Sequence, residues 1–417
     1  MNDCTILHCD LNNFYASVEC ILNPAIKEKY VAVCGNKEHR HGIVLAKNQL
    51  AKEKGVQTGD TIIEAQKKCP ELVIVPPHYE EYVNYAKKVH KIYKEYSDKV
   101  ESFGLDECWI DITNTINLFG NAKTIADNIR AKVKKETGLT ISVGVSFCKT
   151  FAKLGSDLKK PDATTIISKS NFKETVWPLP INYMLMIGKK TTEKLKKYNI
   201  YTLEDLAKAD TKLLKSLLGA NGLQIKKLAN GEEETIVTQV DISQPIKSLG
   251  HSTTTIIDVK DYQTAKQVIL FLSDMIAVRL RQNGLLCNGI SLTIKYNNLS
   301  SISKQCKLPT KTFNATTIAN VAYKLLFEIW KGPLDIPLRL IGINTYDLVD
   351  VAQNTQESLF DNPQEEINEN LDFTIDKIRK KYGYSIITKG TTLNNNNIMT
   401  DKSPIKDTEF IPFKKLT

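Results

Sequence analysis

Three carboxylates stand at the ends of apolar runs. Asp10 closes Thr5-Ile6-Leu7-His8-Cys9-Asp10, and Asp106 and Glu107 are adjacent within Phe103-Gly104-Leu105-Asp106-Glu107-Cys108-Trp109-Ile110-Asp111. Neighbouring acids in apolar surroundings repel and desolvate one another, so a compensating charge is expected. Mg²⁺ compensates well, because it takes carboxylate oxygens together with waters and substrate phosphates. Two such ions about 4 Å apart can activate a hydroxyl and stabilise a departing phosphate in one in-line displacement. The spacing alone fits a plainer reading at least as well, an idle acid pair solvated in a turn, and leaves Asp111 as eligible as its neighbours. The nine cysteines show no CxxC or CxxC…HxxxH spacing, so neither a disulfide framework nor a zinc site is expected.

The elements that must hold these acids are legible in the periodicity. Thr5 to Asp10 reads as a buried strand, and Asn12 or Asn13 caps the next helix, with Glu19 in its early turns. Tyr79, Val83, Ala86, Val89 and Tyr93 recur at three- and four-residue steps, which predicts an amphipathic helix over 78–97. Val100 to Asp111 alternates loosely as a strand. Ile125, Ile129 and Val133 mark a helix closed by Gly138, and Ile141, Val143 and Val145 a further strand. This order predicts a mixed α/β first domain.

Residues 171–230 carry 11 lysines against 5 acids and few β-branched runs, so a small helical module is expected. Gly231-Glu232-Glu233-Glu234 to Gln244-Pro245 reads as an exposed linker. From Lys247 to Tyr346 the pattern is strand, helix (262–283), strand (288–296), strand (301–309), helix (315–331), strand (338–346). That is βαββαβ, the ferredoxin-like order. Residues 351–417, with Asn394 to Asn397, read as mostly tail, with one short helical pattern at Leu371, Ile375 and Ile378.

Composition sets the frame. With 417 residues, 42% hydrophobic and 25% charged, the chain predicts two to four folded domains. Its 56 basic against 47 acidic residues give +9, which permits a polyanionic partner without demanding one. No uncharged apolar stretch reaches the roughly 18 residues of a membrane span, and Met1 to Asp10 lacks the regions of a signal peptide. A soluble, reduced, cytoplasmic protein is expected.

His8-Cys9-Asp10-Leu11-Asn12-Asn13-Phe14-Tyr15-Ala16-Ser17-Val18-Glu19 resembles the opening motif of the Y-family translesion DNA polymerases of DinB/UmuC type. Gly104-Leu105-Asp106-Glu107-Cys108-Trp109-Ile110-Asp111 resembles that family's second motif. Gly144-Val145-Ser146 through Phe151-Ala152-Lys153 to Asp157-Leu158-Lys159-Lys160-Pro161 resembles its third. The three occur in the family's order and at about its spacing, and coarser similarity continues to about residue 348.

The resemblance implies a right-hand α/β (α+β) polymerase of bacterial type. It implies a ferredoxin-like palm (1–22 and 77–168), small fingers (23–76), a helical thumb with a helix-hairpin-helix (169–232), a linker (233–245), a βαββαβ little finger (246–350) and a flexible tail (351–417). By position it assigns Asp10, Asp106, Glu107 and the backbone carbonyl of Leu11 to two Mg²⁺ ions, with Glu107 nearest the primer hydroxyl. Asp111, on the opposite strand face from Asp106, is left structural. The implied reaction is attack of a primer 3′-hydroxyl on the α-phosphate of a dNTP, template-directed, with low fidelity, past damaged bases.

Tyr15 matches the family's steric gate against a ribose 2′-hydroxyl; Phe14 beside it reads as core and stands with Tyr15 among the candidate nucleotide-binding residues. Where the family usually offers a Tyr and an Arg to the triphosphate, Ala46-Lys47-Asn48-Gln49-Leu50-Ala51-Lys52 offers Gln49 and Lys52. Lys is a point charge where Arg gives a planar fork, so the phosphates should be held less rigidly. Lys160 matches a third phosphate contact. His39, Arg40 and His41 read as solvated residues of a fingers loop.

For primer–template DNA, Met186-Ile187-Gly188-Lys189-Lys190 resembles the hairpin of a helix-hairpin-helix. Its backbone N–H groups could hold a phosphate without reading sequence. Met186 stands where the hairpin usually has its first glycine. Leu218-Gly219-Ala220-Asn221-Gly222 is a weaker second hairpin. Lys247-Ser248-Leu249-Gly250-His251-Ser252 resembles the start of the little finger, and Lys247, Ser248 and His251 are its candidate DNA contacts. Residues 241–350 carry 12 basic against 8 acidic residues, so charge permits that contact without requiring it.

Gln356-Glu357-Ser358-Leu359-Phe360 resembles the peptide by which bacterial polymerases dock on the sliding β-clamp: Leu359 and Phe360 would fill an apolar cleft while Gln356 hydrogen-bonds nearby. A monomer is expected. Two other readings fit part of the pattern. A two-metal nuclease suits the acids but leaves Tyr15, the Lys160 motif and the clamp peptide without a role. A clamp-bound scaffold, weak in catalysis, suits the Gln49/Lys52 departure but not the survival of all three acids.

Overall fold

The computed structural model describes residues 4–35, 42–233, 236–238, 245–353, 363–383 and 386–387. The chain forms two compact units that part between Ser243 and Gln244.

In the first unit, β1 (Ile6–Leu11) is buried along its whole length and runs through the middle of a five-stranded sheet. Helix α1 (Phe14–Leu22) leads to a three-stranded sheet of β2 (Val31–Cys34), β3 (Val44–Lys47) and β4 (Val73–Val75), carrying α2 (Gln49–Glu53) and α3 (Ile62–Lys68). The chain returns through α4 (Tyr79–Lys94), β5 (Val100–Ser102), β6 (Glu107–Asp111), the short α5 (Ile116–Phe119), α6 (Ala122–Thr137), β7 (Ile141–Ser146), α7 (Lys149–Leu158) and β8 (Thr164–Ile167). The large sheet runs β5-β6-β1-β7-β8. Setting the edge strand β8 aside, the chain order is βαββαβ with its first and third strands central, a ferredoxin-like arrangement. One face is filled by Leu7, Cys9, Leu11 and Val143 against Tyr82, Val89, Ile125 and Ile129 of α4 and α6. Val89, Ile125, Ile129 and Val143 are positions that the helical and strand periods mark in the sequence, whereas Tyr82 lies outside the stripe read for its helix. Gly138 closes α6 at φ 75°, as expected.

The sequence reading of 100–111 as one strand is corrected. The chain makes β5, bends through Phe103–Asp106 and returns as β6, with Phe103 N–H donating to the Glu107 carbonyl at 3.0 Å. The acid pair therefore sits at the hairpin's exit.

Short helices follow: α8 (Phe172–Val176), α9 (Lys189–Lys196), α10 (Leu203–Lys208), α11 (Thr211–Leu218) and α12 (Ala220–Ala229), packed around Leu195, Leu203, Leu206, Leu214 and Ile225. The beginning of the expected linker is no linker. Val237 is buried with Ile6, Trp109 and Ala152, Glu233 accepts from the Thr150 N–H at 2.9 Å, and Thr238 donates twice to Glu101.

The second unit is β9 (Ser248–Val259), α13 (Tyr262–Gln282), β10 (Leu285–Tyr296), β11 (Ser301–Thr312), α14 (Ala315–Ile329) and β12 (Leu338–Asp350). The chain order is βαββαβ, as read from the sequence. The sheet, however, runs β11-β10-β12-β9, with its second and fourth strands central. The ferredoxin-like likeness there is one of chain order alone. Helix α15 (Pro363–Tyr382) corrects the short helical pattern in the tail: it has 20 residues, and its C-terminal half packs on this unit.

Candidate active site

The sheet register brings the acids together. In the antiparallel pairing of β1 with β6, Asp10 is the direct partner of Glu107, and the Leu11 N–H donates to the Asp106 carbonyl at 2.9 Å. The Asp10 side chain is almost wholly buried, whereas that of Glu107 is 22% exposed. Burial pushes the Asp10 carboxyl up to about 7; Lys160 opposes that rise, and Glu107 and Asp106 add to it. Asp106 is raised as well, by burial and then by Glu107. Clustered acids in a desolvated corner are short of positive charge. Oxygen-only donors of this kind suit a hard divalent cation. Among the described residues no three His, Cys, Asp or Glu side chains converge as a ready-made metal cage.

Two lysines supply part of the missing charge. Lys160 Nζ lies 2.6 Å from Asp10 Oδ2 and 2.7 Å from Asp157 Oδ1. Lys153 Nζ lies 2.7 Å from Glu107 Oε1 and packs over the Phe103 ring at 5.2 Å. Asp106 makes no ion pair among the described residues. Lys153 lies within the third motif, where the resemblance assigns it no role. Its signal was the spacing of Lys153, Asp157 and Lys160, four and then three residues apart, which places all three on one side of α7 and its extension.

Helix α7 can reach the acids because two glycines let it touch the sheet. A Cβ on Gly144 would stand 1.9 Å from the Ala152 carbonyl oxygen, and Gly155 lies against the Gly144 backbone. Asn12 fixes the loop after Lys160: its side chain accepts from the Asp162 N–H at 2.8 Å and donates to Ser142 Oγ at 2.9 Å. Behind Glu107 lies His8, fully buried. Its Nδ1 bonds Ser156 Oγ at 2.8 Å, while Nε2 has no hydrogen-bond partner and faces Glu107 Oε2 at 4.0 Å. Ser156 in turn donates to the Lys153 carbonyl, which leaves its oxygen to accept from Nδ1–H. Asp111 accepts from the Thr113 N–H and hydroxyl and pairs with Lys99, a local structural role away from the other acids.

Tyr15 stacks on Tyr82 with centroids 4.1 Å apart and planes 9° from parallel. Burial and then the nearby charge of Asp106 push its hydroxyl up to about 12. Phe14 is buried in the core, against its candidacy as a nucleotide contact. Gln49 and Lys52 are not drawn to the carboxylates: Gln49 bonds Glu53 on its own helix at 3.1 Å, and Lys52 is exposed. Lys47 is the neighbour that feels Lys52, its ammonium lowered by burial and then by that charge.

Of the candidate DNA contacts, Gly188 begins α9 in extended conformation, with Lys189 and Lys190 in the first turn. Met186 holds φ 73°, a left-handed conformation that favours glycine. The second hairpin is a tight α11–α12 corner, in which a Cβ on Gly222 would stand 2.3 Å from the Leu214 carbonyl oxygen. Lys247 and Ser248 are exposed at the start of β9, and His251 is half-buried within it. Gln356, Leu359 and Phe360, like His39, Arg40 and His41, lie outside the described residues.

Residues 9–157 match the model of the impB/mucB/samB family, and residues 246–359 that of its C-terminal domain. The chain belongs to the impB/mucB/samB family. Among its relatives, the DNA polymerase IV of Acetivibrio thermocellus is 42% identical over 94% of this chain and 98% of its own. The DNA polymerase IV 1 of Bacillus subtilis is 35% identical over 97% of this chain and 96% of its own. Among solved structures, a Y-family DNA polymerase chimera of Dbh and Dpo4 superposes with a TM-score of 0.72 at 24% identity, covering 83% of this chain and 99% of its own. That likeness bears on the fold, and the fold agrees with the mixed α/β architecture read from the sequence.

Proposed function

We propose that this member of the impB/mucB/samB family is a template-directed DNA polymerase of the Y-family, extending a primer with dNTPs past damaged bases at low fidelity. The observation that carries the reading is the β1–β6 register, which sets Asp10 opposite Glu107 with Asp106 alongside. Full-length relatives named as DNA polymerase IV support it. The nuclease reading leaves the Tyr15–Tyr82 stack beside the acids without purpose, and the scaffold reading does the same for the intact acid trio.

The activity depends on a divalent metal. Asp10, Asp106, Glu107 and the Leu11 carbonyl would hold Mg²⁺, two ions in our reading, which supply charge for the attacking 3′-hydroxyl and the departing pyrophosphate. The chain's own groups do the rest. Tyr15, braced by Tyr82, would lie under the sugar and exclude a 2′-hydroxyl; Lys160, Lys52 and Gln49 would meet the triphosphate. Lys153 would hold Glu107 in place.

The proposed frame is a palm (1–22, 77–168), fingers (23–76), a thumb (169–232) and a little finger (246–350). Gly188, Lys189 and Lys190 would hold backbone phosphates by N–H groups and charge, with Lys247, Ser248 and His251 as further contacts. Gln356, Leu359 and Phe360 would dock on the sliding clamp, raising the effective concentration of a monomeric enzyme at primer ends. No helix among the described residues is long and apolar enough to cross a membrane.

Primer extension with Mg²⁺ and dNTPs, comparing wild type with Asp106→Ala plus Glu107→Ala, tests the assignment. Incorporation should vanish in the double variant. Incorporation that persists would overturn the site, and none by wild type even with a clamp present would leave a scaffold or a partner-activated polymerase.

A further inference from the structure

The two lysines at the acid cluster are held differently. Lys153 is 15% exposed, packed over Phe103 and bonded to Glu107. Lys160 is 28% exposed and shared between buried Asp10 and exposed Asp157, so it has a route to water and a second anion outside the site. Its ammonium lies 2.6 Å from Asp10 Oδ2, one of the two oxygens through which Asp10 can ligate a cation. An ammonium and a divalent ion cannot share it, because like charges at that range repel strongly.

We propose that Lys160 couples metal binding to nucleotide binding: it occupies Asp10 when the site is empty, and a triphosphate draws it away and frees that oxygen for the metal. This rests on the reading of Asp10 as metal ligand and Lys160 as phosphate contact. A metal arriving alone must displace Lys160 into water. A metal arriving with a triphosphate leaves Lys160 a new anionic partner. By reciprocity, a metal on Asp10 releases Lys160 and so strengthens triphosphate binding by the same factor. Lys153 bonds Glu107 through Oε1 and leaves Oε2 for a cation.

The test uses the full chain and Mn²⁺ as probe, titrated without nucleotide and followed by electron paramagnetic resonance. Lys160→Met should bind Mn²⁺ at least about fivefold more tightly than wild type, the low end of typical couplings. Lys160→Arg, which keeps the charge, should stay near wild type. In an Asp10→Asn background the Lys160→Met gain should disappear. In a chelator, with no metal, a fluorescent dNTP should bind Asp10→Asn more tightly than wild type, because Lys160 is already released. Lys160→Met binding Mn²⁺ no better than wild type, while Asp10→Asn weakens it, would overturn the coupling and leave the metal site standing. Mn²⁺ affinity unchanged by Asp10→Asn would sink the metal site, and the coupling with it.

Discussion

At the scale of single residues, the acid cluster stores a cost. Asp10 is held at about 7 in the folded chain against an ordinary 3.8. A carboxyl whose folded value is raised burdens the folded state wherever it must ionise, so the burden is absent below about pH 4 and complete above about pH 7. Asp10→Asn should therefore abolish incorporation and yet raise stability at pH 8, by on the order of 2–4 kcal/mol. The gain should shrink steadily as pH falls from 7 to 4. Urea unfolding of both proteins across that range measures it, and a gain constant with pH would count against a strained, ionised Asp10. Lys160 limits the burden by lying on Asp10, and its own ammonium is raised because Asp10 and Asp157 outweigh the effect of burial. Function and stability pull against each other at the same few atoms.

At the scale of elements, what positions the site is close backbone packing, and this was hard to read in the sequence. The periodicity that reveals β1, α4, α6 and β7 reports apolar side chains. Gly144 and Gly155 act by having none, and a lysine on a helix reads as solvated, so the path by which α7 brings Lys153 to Glu107 left no hydrophobic trace. The bend at Phe103–Asp106 was hidden for a related reason: apolar Phe103 and Leu105 continue the alternation across the turn. Gly144→Ala puts a methyl into the Ala152 carbonyl and should cost at least about 3 kcal/mol, as severe overpacking does. Thermal unfolding would register it, and loss of incorporation beyond what the unfolded fraction explains would show α7 displaced. Met186 makes the opposite case. Its side chain is half exposed and its backbone left-handed, a conformation costing a non-glycine residue roughly 1–2 kcal/mol. Met186→Gly should stabilise the protein by about 0.5–1 kcal/mol after glycine's own entropy cost. A loss of stability in urea would mean that the methionine side chain makes a contact worth more than the strain.

At the scale of the whole chain, the βαββαβ order of the second unit was legible because it buries an ordinary apolar stripe, whereas that of the first was not, since β5 and β6 read as one strand; the sheet orders of both are set by long-range pairing that no local pattern encodes. The folded part of the chain extends further than the apolar pattern suggested. Helix α15 lies beyond the family match, which ends at residue 359. Leu371, Ile375 and Ile378 are too few to predict a docked helix, and the described half of α15 docks largely through charge. Arg281, 3% exposed, reaches both oxygens of Asp376 at 2.7 and 3.0 Å and Asp372 at 3.1 Å. Arg379 pairs with Asp274 at 2.9 Å, and Phe373 meets Phe313 edge-on. Buried pairs of this kind penalise the loss of one partner more than they reward the pair, because the charge left behind is stranded. Arg281→Met fills the volume and takes from Asp372 and Asp376 the guanidinium they share. Since those acids retain about a fifth of their exposure, the cost should be about 2–3 kcal/mol, below that of a fully buried pair. The loss should fall on α15 alone: hydrogen exchange should rise across 371–382 while the strands β9 to β12 keep their protection. Adding Asp372→Asn and Asp376→Asn to Arg281→Met should recover much of the docking, since nothing charged is then left unpaired. Uniform loss of protection across the second unit would instead make α15 an integral part of its core.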